Sequence, residues 1–434
     1  MALGGGTFTA QNKVLPGAYI NFVSLAAASA TLSDRGIAAI GVELNWGVTG
    51  SIFEVTSGDF QKNSLNIFGY SYDHESLKGL RDLFANINTL LCYRLNGGGV
   101  KASNTFATAK YAGTRGNDLK IVIAKNADDN TKWDVSTVLG STIMDVQTVA
   151  DATGLVSNDW VDFDSTATLA ATAGTALAGG TNSAVDGAAH QAFLDKLEAK
   201  SFNALGCVSS TDSIKGLYVN YCKRLRDEMG KKFQVVVYNK AADYEGVVNV
   251  KNTVSDGSDA ASLVYWVTGI VAGTAVNASA LNHRYDGEFE VNVDYTQSQL
   301  EAAIKAGEFT LHQVGDDVRV LSDINSLVTT SDTKGDIFKD NQTIRVIDQI
   351  ANDIAVLFNT KYLGVVPNNN AGRISLWSDI VQHHMNLQAI RAIEDFADTD
   401  VTVAQGETKK AVVVSDAVTV VNAMEKLYMT VTIQ

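Results

Sequence analysis

The chain has 434 residues, a net charge of −14 and 46% hydrophobic residues, enough to pack the cores of about two to four domains. The acidic balance argues against a nucleic-acid partner, because phosphate contact requires clustered Lys and Arg, and against adhesion to anionic membranes. No apolar run reaches the ~20 residues that span a bilayer, so direct membrane insertion is not expected. The N-terminus lacks the residue order of a signal peptide, and we therefore expect folding in a cytoplasm.

The N-terminal residues 1–23 are predicted to form an extended arm. A glycine-rich lead precedes Pro16-Gly17, and Ala18–Val23 has the composition of a short strand. The candidate strand-pairing residues of this arm are Ala18, Tyr19, Ile20, Asn21 and Phe22.

Residues 24–96 and 183–340 are predicted to build one α/β core domain. Strands and helices alternate in both parts, which argues for a sheet layered by helices. The predicted strands are Ala38–Glu43, Leu90–Leu95, Asn203–Val208, Phe233–Tyr238 and Val247–Val250, and the predicted helices are Asp73–Asn86, Ala188–Lys200, Thr211–Met229 and Ala260–Ala272.

Between these two parts, residues 97–182 are rich in Thr, Ser, Ala, Gly and Asp. Strand candidates at Leu119–Ala124 and Trp133–Val138 are separated by polar turns, so we expect an inserted, mostly β outer domain. The alternative is a disordered loop, because such a composition buries little apolar surface.

Residues 341–434 are predicted to form a C-terminal helix-plus-sheet domain. An amphipathic helix is expected over Asn341–Tyr362 and a second over Arg373–Ile393. Strands are expected at Val401–Ala404, Lys410–Val414 and Leu427–Ile433. The residues predicted to face inward on the first helix are Ile344, Ile347, Ala351, Ile354 and Phe358.

The last predicted strand alternates along its length, with Leu427, Met429, Val431 and Ile433 on one face. A terminus so rich in β-forming residues is suited to pairing, because chain ends usually fray unless they are held. With the N-terminal arm, it suggests joining to neighbouring subunits by strand addition, for which Val412 and Val414 are further candidates. The alternative is that both strands complete the chain's own sheet.

No motif for catalysis, cofactor binding or metal binding is present. The phosphate-binding glycine patterns and the GxSxG elbow are missing. His383 and His384 are adjacent on a helix, where side chains diverge by about 100°, so packed histidines are expected rather than metal ligands. Cys92 and Cys207 lie in apolar runs and are expected in cores, and no CxxC occurs. The acidic run Glu394–Asp400 lacks EF-hand spacing.

Several stretches together resemble the contractile tail sheath proteins of bacteriophages and phage-tail-like particles. They occur in the expected order along nearly the whole chain. They are Leu15-Pro16-Gly17-Ala18-Tyr19-Ile20, Ala109–Asp118, Leu281–Gly287, and Asn341–Asp348 followed by Gly364, Pro367-Asn368-Asn369 and Arg373.

The resemblance implies a mixed α/β, multi-domain sheath fold with a layered core, an inserted β-rich domain and strand arms at both ends. It implies no enzyme activity and no cofactor. The implied partners are further copies in a helical sheath, a tail tube protein, and baseplate and tail terminator proteins. The implied location is a virion or phage-tail-like particle assembled in a bacterial cytoplasm, where contraction drives the tube through a cell envelope.

Other functions remain open at this point. The chain could be an α/β enzyme with an unrecognised site, a non-contractile tube or capsid-type protein, or the sheath of a bacteriocin-like particle. The residues do not choose between a complete phage and such a particle.

Overall fold

A computed structural model describes residues 32–433, and in that range the helices lie close to the predicted ones. Two helices were not predicted, α1 and α6, and α1 has the buried stripe Phe60, Ser64 and Phe68, whose central serine weakens the apolar periodicity. The α-helices are α1 (Ser57–Phe68), α2 (Lys78–Phe84), α3 (Gly187–Leu197), α4 (Asp212–Asp227), α5 (Leu263–Gly273), α6 (Gln297–Lys305), α7 (Asn341–Leu357) and α8 (Asn370–Ala389).

The strands of residues 32–433 form one large sheet and several small ones. They are β1 (Ile37–Val42), β2 (Phe53–Thr56), β3 (Thr89–Arg94), β4 (Ala107–Ala109), β5 (Leu119–Lys125), β6 (Trp133–Leu139), β7 (Thr142–Val149), β8 (Val161–Phe163), β9 (Thr172–Ala176), β10 (Ala204–Cys207), β11 (Gln234–Tyr238), β12 (Val247–Val250), β13 (Glu308–Phe309), β14 (Leu311–Val314), β15 (Asp317–Val320), β16 (Ile393–Glu394), β17 (Val401–Gln405), β18 (Val412–Asp416) and β19 (Thr419–Val420).

The large sheet, called the central sheet here, joins strands from both sides of the predicted insertion. Its order within the described residues is β13-β12-β11-β10-β1-β3-β2, and all neighbours are parallel except the pair β2–β3. The register Ala38↔Ala204 places β1 directly beside β10, although more than 160 residues separate them in sequence. The predicted mixed α/β fold is therefore confirmed.

Each face of the central sheet has its own apolar core. Successive residues of a strand point to opposite faces, so Ile40 packs with α2 and α5, whereas Ala39 packs with α3 and α4. The predicted core positions of Cys92 and Cys207 are confirmed, since both are buried. Helices thus cover both faces of the sheet, as buried parallel strands require.

Residues 97–182 form a β-rich unit beside the central sheet. The antiparallel sheet β7-β6-β5-β9 and the pair β4–β8 enclose a core that includes Leu119, Ile121 and Trp160. The chain enters and leaves this unit side by side, with reciprocal backbone hydrogen bonds between Val100 and Thr181 of 3.0 and 3.1 Å. Gly99 is required at this crossing, because a Cβ there would lie 1.8 Å from the Thr181 carbonyl oxygen.

A buried arginine holds the β-rich unit against the central sheet. Arg94 at the end of β3 is 1% exposed, and its guanidinium donates to the Ala112 carbonyl at 2.6 Å and to Asn182 Oδ1 at 3.1 Å. Burial lowers the pKa of Arg94 to about 10. The sequence offered no sign of this role, because the arginine's acceptors are backbone carbonyls and amides distant in sequence.

The C-terminal region differs from its prediction in two ways. The α-helical part of the long predicted helix ends at Leu357, and a π-helical turn follows over Phe358–Tyr362. Of the residues predicted to face inward, Ile344 is buried, whereas Ile347, Ala351, Ile354 and Phe358 are only half-buried. The fully buried side of α7 instead carries polar residues, Arg345, Asp348, Gln349 and Asp353 among them.

Those polar residues are buried because each meets a partner. Arg226 of α4 forms a bidentate ion pair with Asp348, with N–O distances of 2.6 and 2.8 Å, and Arg345 Nη2 lies 3.3 Å from Asp323 Oδ2. Although burial opposes its charge, the neighbouring Asp348 raises the pKa of Arg226. A buried pair of this kind fixes α7 against the core. None of the helices between residues 32 and 433 is long and apolar enough to cross a membrane.

Candidate functional site

The predicted N-terminal pairing residues Ala18–Phe22 lie outside the described residues. The described chain begins next to α7, where Leu32 packs with Val346 and Leu387. The Ser33 hydroxyl donates to Asp353 Oδ1 at 2.6 Å. Residues 32 and 33 therefore fix the place where the preceding segment joins the body.

The candidates Val412 and Val414 lie in a β-hairpin formed by β17 and β18. The two strands pair antiparallel, with the register Val403↔Val414 and Gln405↔Val412. The turn is closed by a 2.9 Å hydrogen bond from the Gly406 amide to the Ala411 carbonyl. The hairpin packs through Val401, Val403 and Val412 on the side of α8 that carries Leu376 and Ile380.

The hairpin has open edges. Within residues 32–433 it is a two-stranded sheet, so each strand pairs on one side only. Val413 of β18 is 56% exposed, and Val414 is exposed as well. An unpaired strand edge presents free backbone donors and acceptors to another chain.

The chain beyond the hairpin is first tied down. The short strand β19 pairs with β16, and the Gln342 side chain then bridges the next residues, donating to the Val421 carbonyl and accepting from the Ala423 amide, both at 3.0 Å. The last side-chain anchor is Glu425, which accepts a 2.9 Å hydrogen bond from the Ser322 hydroxyl. Residues 406–411 form the closed turn of the hairpin.

After Glu425 the chain has no regular secondary structure up to residue 433, so the predicted strand Leu427–Ile433 is not paired within the described subunit. Residues 426–433 make no hydrogen bond to any described residue. The predicted pairing residues Leu427, Met429, Val431 and Ile433 are 70–92% exposed. Exposing large apolar side chains to water is unfavourable by ~25 cal/mol per Å² of apolar area. This segment therefore has the composition of a β-strand but no pairing partner among the described residues.

The three cysteines are all buried and free. Burial raises the pKa of Cys207 and Cys222 to about 12 and that of Cys92 further, so none is a ready thiolate nucleophile. No group of His, Cys, Asp and Glu able to hold a metal ion is found in residues 32–433.

The two adjacent histidines are both buried, as expected, but they do not diverge. The Nδ1 atoms of His383 and His384 lie 3.2 Å apart, because both rings turn toward each other between α7 and the hairpin. Each ring also meets a carboxylate through its Nε2 atom. Helical spacing alone does not show this arrangement, since it depends on rotamers that the neighbouring elements impose.

Doubly wound sheets usually bind ligands in the crevice where the strand order reverses. The strand order reverses between β1 and β10, and a cavity of about 470 Å³ lies there, lined by Asp186, His190 and Ser209 among others. Burial lowers the pKa of His190, whose Nδ1 atom lies 2.9 Å from the Tyr218 hydroxyl. The lining also includes Glu43 and Asp259, so the crevice is acidic. No cysteine is among its lining residues in the described part of the chain.

Comparison with protein families matches the chain to four models of phage tail sheath domains. A tail sheath Gp18 domain III N-terminal region matches residues 35–95, and a phage tail sheath β-sandwich domain matches residues 97–182. The phage tail sheath central domain matches residues 183–326, and the phage tail sheath C-terminal domain matches residues 333–434.

Individual proteins extend this similarity over the whole chain. The phage-like element PBSX protein XkdK of Bacillus subtilis is 33% identical and covers 99% of both chains. The crystal structure of a sheath tail protein from Desulfitobacterium hafniense is 39% identical, with a TM-score of 0.80 over 90% of this chain and 93% of that one. The contracted helical sheath of the anti-feeding prophage shares the fold at 13% identity, with a TM-score of 0.57 over 97% and 99% of the two chains.

Proposed function

Because the chain belongs to the family of phage tail sheath proteins, we propose that it polymerises into a helical sheath that contracts around a tail tube. It is a structural component of a phage tail or phage-tail-like particle and not an enzyme. Support for helical assembly and contraction comes from the shared fold with the contracted sheath of the anti-feeding prophage.

The proposed mode of assembly rests on one observation. The segment after Glu425 is exposed, and its residues alternate between apolar and polar. It carries apolar residues on one face, and among residues 32–433 nothing covers them. A second copy of the chain supplies a suitable receiver, the open edge of the β17–β18 hairpin. The C-terminal segment of one subunit then adds a strand to the hairpin of another, and the N-terminal Ala18–Phe22 adds a further strand.

The strength of such a joint is moderate. Each backbone hydrogen bond contributes ~1 kcal/mol net, and a strand of about six residues therefore contributes a few kcal/mol, to which buried apolar side chains add. Many joints per particle make the assembly multivalent. The anchor at Gln342 and Glu425 keeps the root of the strand fixed while the segment beyond it is free to follow a moving neighbour.

Within this proposal the parts of the chain have separate roles. Residues 24–96 and 183–340 form the body, residues 97–182 an outer domain, and residues 341–434 the joining domain, with residues 1–23 as the second arm. The proposed partners are a tail tube protein, a baseplate and a tail terminator, and assembly takes place in the host cytoplasm.

The test compares two charged substitutions in the free segment. Val431→Asp places a carboxylate on the apolar face, and Thr432→Asp places the same charge one residue away on the opposite face. We expect Val431→Asp to abolish sheath tubes in negative-stain electron microscopy and Thr432→Asp to retain them. Equal behaviour of the two variants contradicts strand addition through this face.

A truncation after Glu425 removes the free segment and leaves every anchor in place. We expect a folded subunit with wild-type thermal stability that does not form tubes. Normal tubes from this variant exclude the segment from assembly, whereas loss of the fold shows that it serves the subunit itself.

A further inference from the structure

The two adjacent histidines are the centre of a chain of four titratable groups, of which Asp353 and both histidines are buried and the Asp416 side chain is 25% exposed. His383 Nε2 lies 3.0 Å from Asp353 Oδ2, and His384 Nε2 lies 2.7 Å from Asp416 Oδ2. The Nδ1 atoms of the two rings are 3.2 Å apart. The histidines are 0–1% exposed. We call these four residues, Asp353, His383, His384 and Asp416, the histidine relay.

The relay connects segments that are distant in sequence. Asp353 lies on α7, both histidines lie on α8, and Asp416 is the last residue of β18. Asp353 also accepts hydrogen bonds from the Ser33 hydroxyl at 2.6 Å and from Gln349 Nε2 at 2.7 Å. The relay therefore joins the start of the described chain to the end of the hairpin through a single line of hydrogen bonds.

This line of hydrogen bonds needs one proton more than two neutral histidines provide. Its three contacts require three protons, and each neutral imidazole carries one. Asp353 is surrounded by donors, so it acts as an acceptor and His383 Nε2 must carry a proton. If His384 Nε2 likewise donates to the Asp416 carboxylate, the Nδ1–Nδ1 contact still needs a proton of its own.

The neighbouring protonation states do not fit the geometry. With two protons, one contact places two acceptor atoms against each other. With four, two N–H groups point at each other across 3.2 Å. Three protons place one proton in each of the three contacts and leave one imidazolium between two carboxylates.

We propose that the histidine relay is a proton-binding site, and that its single extra proton locks the β17–β18 hairpin to α7, α8 and Ser33. Loss of the proton at higher pH breaks one of the three contacts and loosens the hairpin. This inference does not rest on sheath assembly, because it concerns the subunit alone.

The surroundings agree with this assignment. Burial disfavours the ionised form of Asp353, but hydrogen bonds from His383, Ser33 and Gln349 outweigh it and hold the pKa of Asp353 below its usual value. A cleft of about 610 Å³ is lined by Asp353 and His383, which gives protons a path to solvent. The other charged groups of that cleft are Asp34, Lys231 and Lys232, and Phe396 packs on the His384 ring.

The deciding variant is Asp416→Asn in the full-length chain. The asparagine amide donates to His384 Nε2, His384 Nδ1–H then donates to His383 Nδ1, and His383 Nε2–H still donates to Asp353. All three contacts are satisfied by neutral rings, so the variant keeps the hairpin in place without the extra proton. A histidine replacement is less informative, because it removes buried packing as well.

The measurement is hydrogen–deuterium exchange of residues 401–416 at about pH 6 and about pH 8.5, corrected for intrinsic exchange rates, with the oligomeric state checked by sedimentation. We expect wild-type protection of the hairpin to fall at least about tenfold across this range, since one proton is worth up to a tenfold change per pH unit. Protection in Asp416→Asn should remain constant. Asp395→Asn, an exposed carboxylate near the hairpin, serves as the control and should behave like wild type.

A second readout addresses the proton directly. The chain has six histidines, so imidazole nitrogen NMR of labelled protein can assign each ring. We expect one ring of the pair to be doubly protonated at about pH 6 and both to be neutral in Asp416→Asn. The proposal is overturned if wild-type protection does not depend on pH, or if Asp416→Asn retains the wild-type dependence.

Discussion

The central sheet and the C-terminal region of this protein differ in the side chains that they bury and in the surface that they leave exposed. The central sheet is covered by helices on both faces, and the side chains that its strands bury against these helices are mostly apolar. Within residues 32–433, the C-terminal region buries arginine, aspartate and histidine side chains under α7 and α8, has a hairpin with open edges, and carries an exposed apolar segment after Glu425.

Under the proposed assembly, this difference separates the part of the subunit that is stable by itself from the part that contacts other copies. Apolar burial stabilises the central sheet without partners. Buried hydrogen-bonded charges in the C-terminal region contribute less net stability but fix the orientation of α7, α8 and the hairpin. In the proposed assembly, the open edges and the free segment gain their remaining contacts from neighbouring subunits.

The largest expected effect tests the buried charges. Arg226→Met leaves Asp348 buried without its partner, which should lower the free energy of unfolding by about 3–5 kcal/mol. The control is Arg224→Met on the same helix, whose partner Glu198 lies 2.7 Å away with both side chains more than 30% exposed. An exposed pair is worth about 0–1 kcal/mol. Similar losses from the two variants in urea unfolding contradict an orienting role for the buried pair.

A pair of leucine substitutions separates folding from assembly. Leu205→Ala in β10 removes a side chain that is fully buried in the core and should cost about 2–5 kcal/mol of unfolding free energy. Leu427→Ala in the free segment should change the stability of the subunit by less than about 0.5 kcal/mol and should weaken tube formation. The comparison fails if Leu427→Ala destabilises the isolated subunit as Leu205→Ala does.

The smallest expected effect concerns pH. Burial raises the pKa of Asp82 in α2 to about 6, even though the Glu288 amide and the Tyr285 hydroxyl donate to it. The pKa of Asp353 is instead lowered. Below about pH 4 Asp82 is protonated in both folded and unfolded chains, and stability falls as pH rises through about 6, whereas the Asp353 contribution is lost only as pH falls below its ordinary value.

In the wild type, this ionisation should lower the free energy of unfolding by about 1–2 kcal/mol as the pH rises from 4 to 6. In Asp82→Asn this decrease should be absent. Thermal unfolding across this range measures it. An unchanged slope in the variant would show that Asp82 does not hold a proton in the folded state, since the asparagine mimics a protonated carboxyl: its oxygen can accept from the Glu288 amide and its NH2 group can donate to the Tyr285 oxygen.

Much of the fold follows from local patterns. The runs at Val247–Val250 and Phe233–Tyr238 are apolar because both faces of a parallel strand are buried, and this pattern is visible in the sequence. The compositional shift at residue 97 marks the β-rich unit for a similar reason, because small polar residues suit short exposed strands. The alternation of Leu427, Met429, Val431 and Ile433 was also visible, and the structure adds that they are exposed.

Other features depended on residues brought together only by folding. The inward side of α7 was predicted from its isoleucines, and this prediction held fully only for Ile344, because Asp348 and Asp353 are buried by partners that are distant in sequence. The same holds for Arg94, whose acceptors are carbonyls, and for His383 and His384, whose rings meet through rotamers set by α7 and the hairpin. By itself the sequence determined the layered α/β class, the β-rich insertion and the apolar terminal segment, because periodicity and composition are local properties. Only the tertiary structure decided which polar groups are buried and where the C-terminal segment becomes free, because both depend on contacts between remote residues.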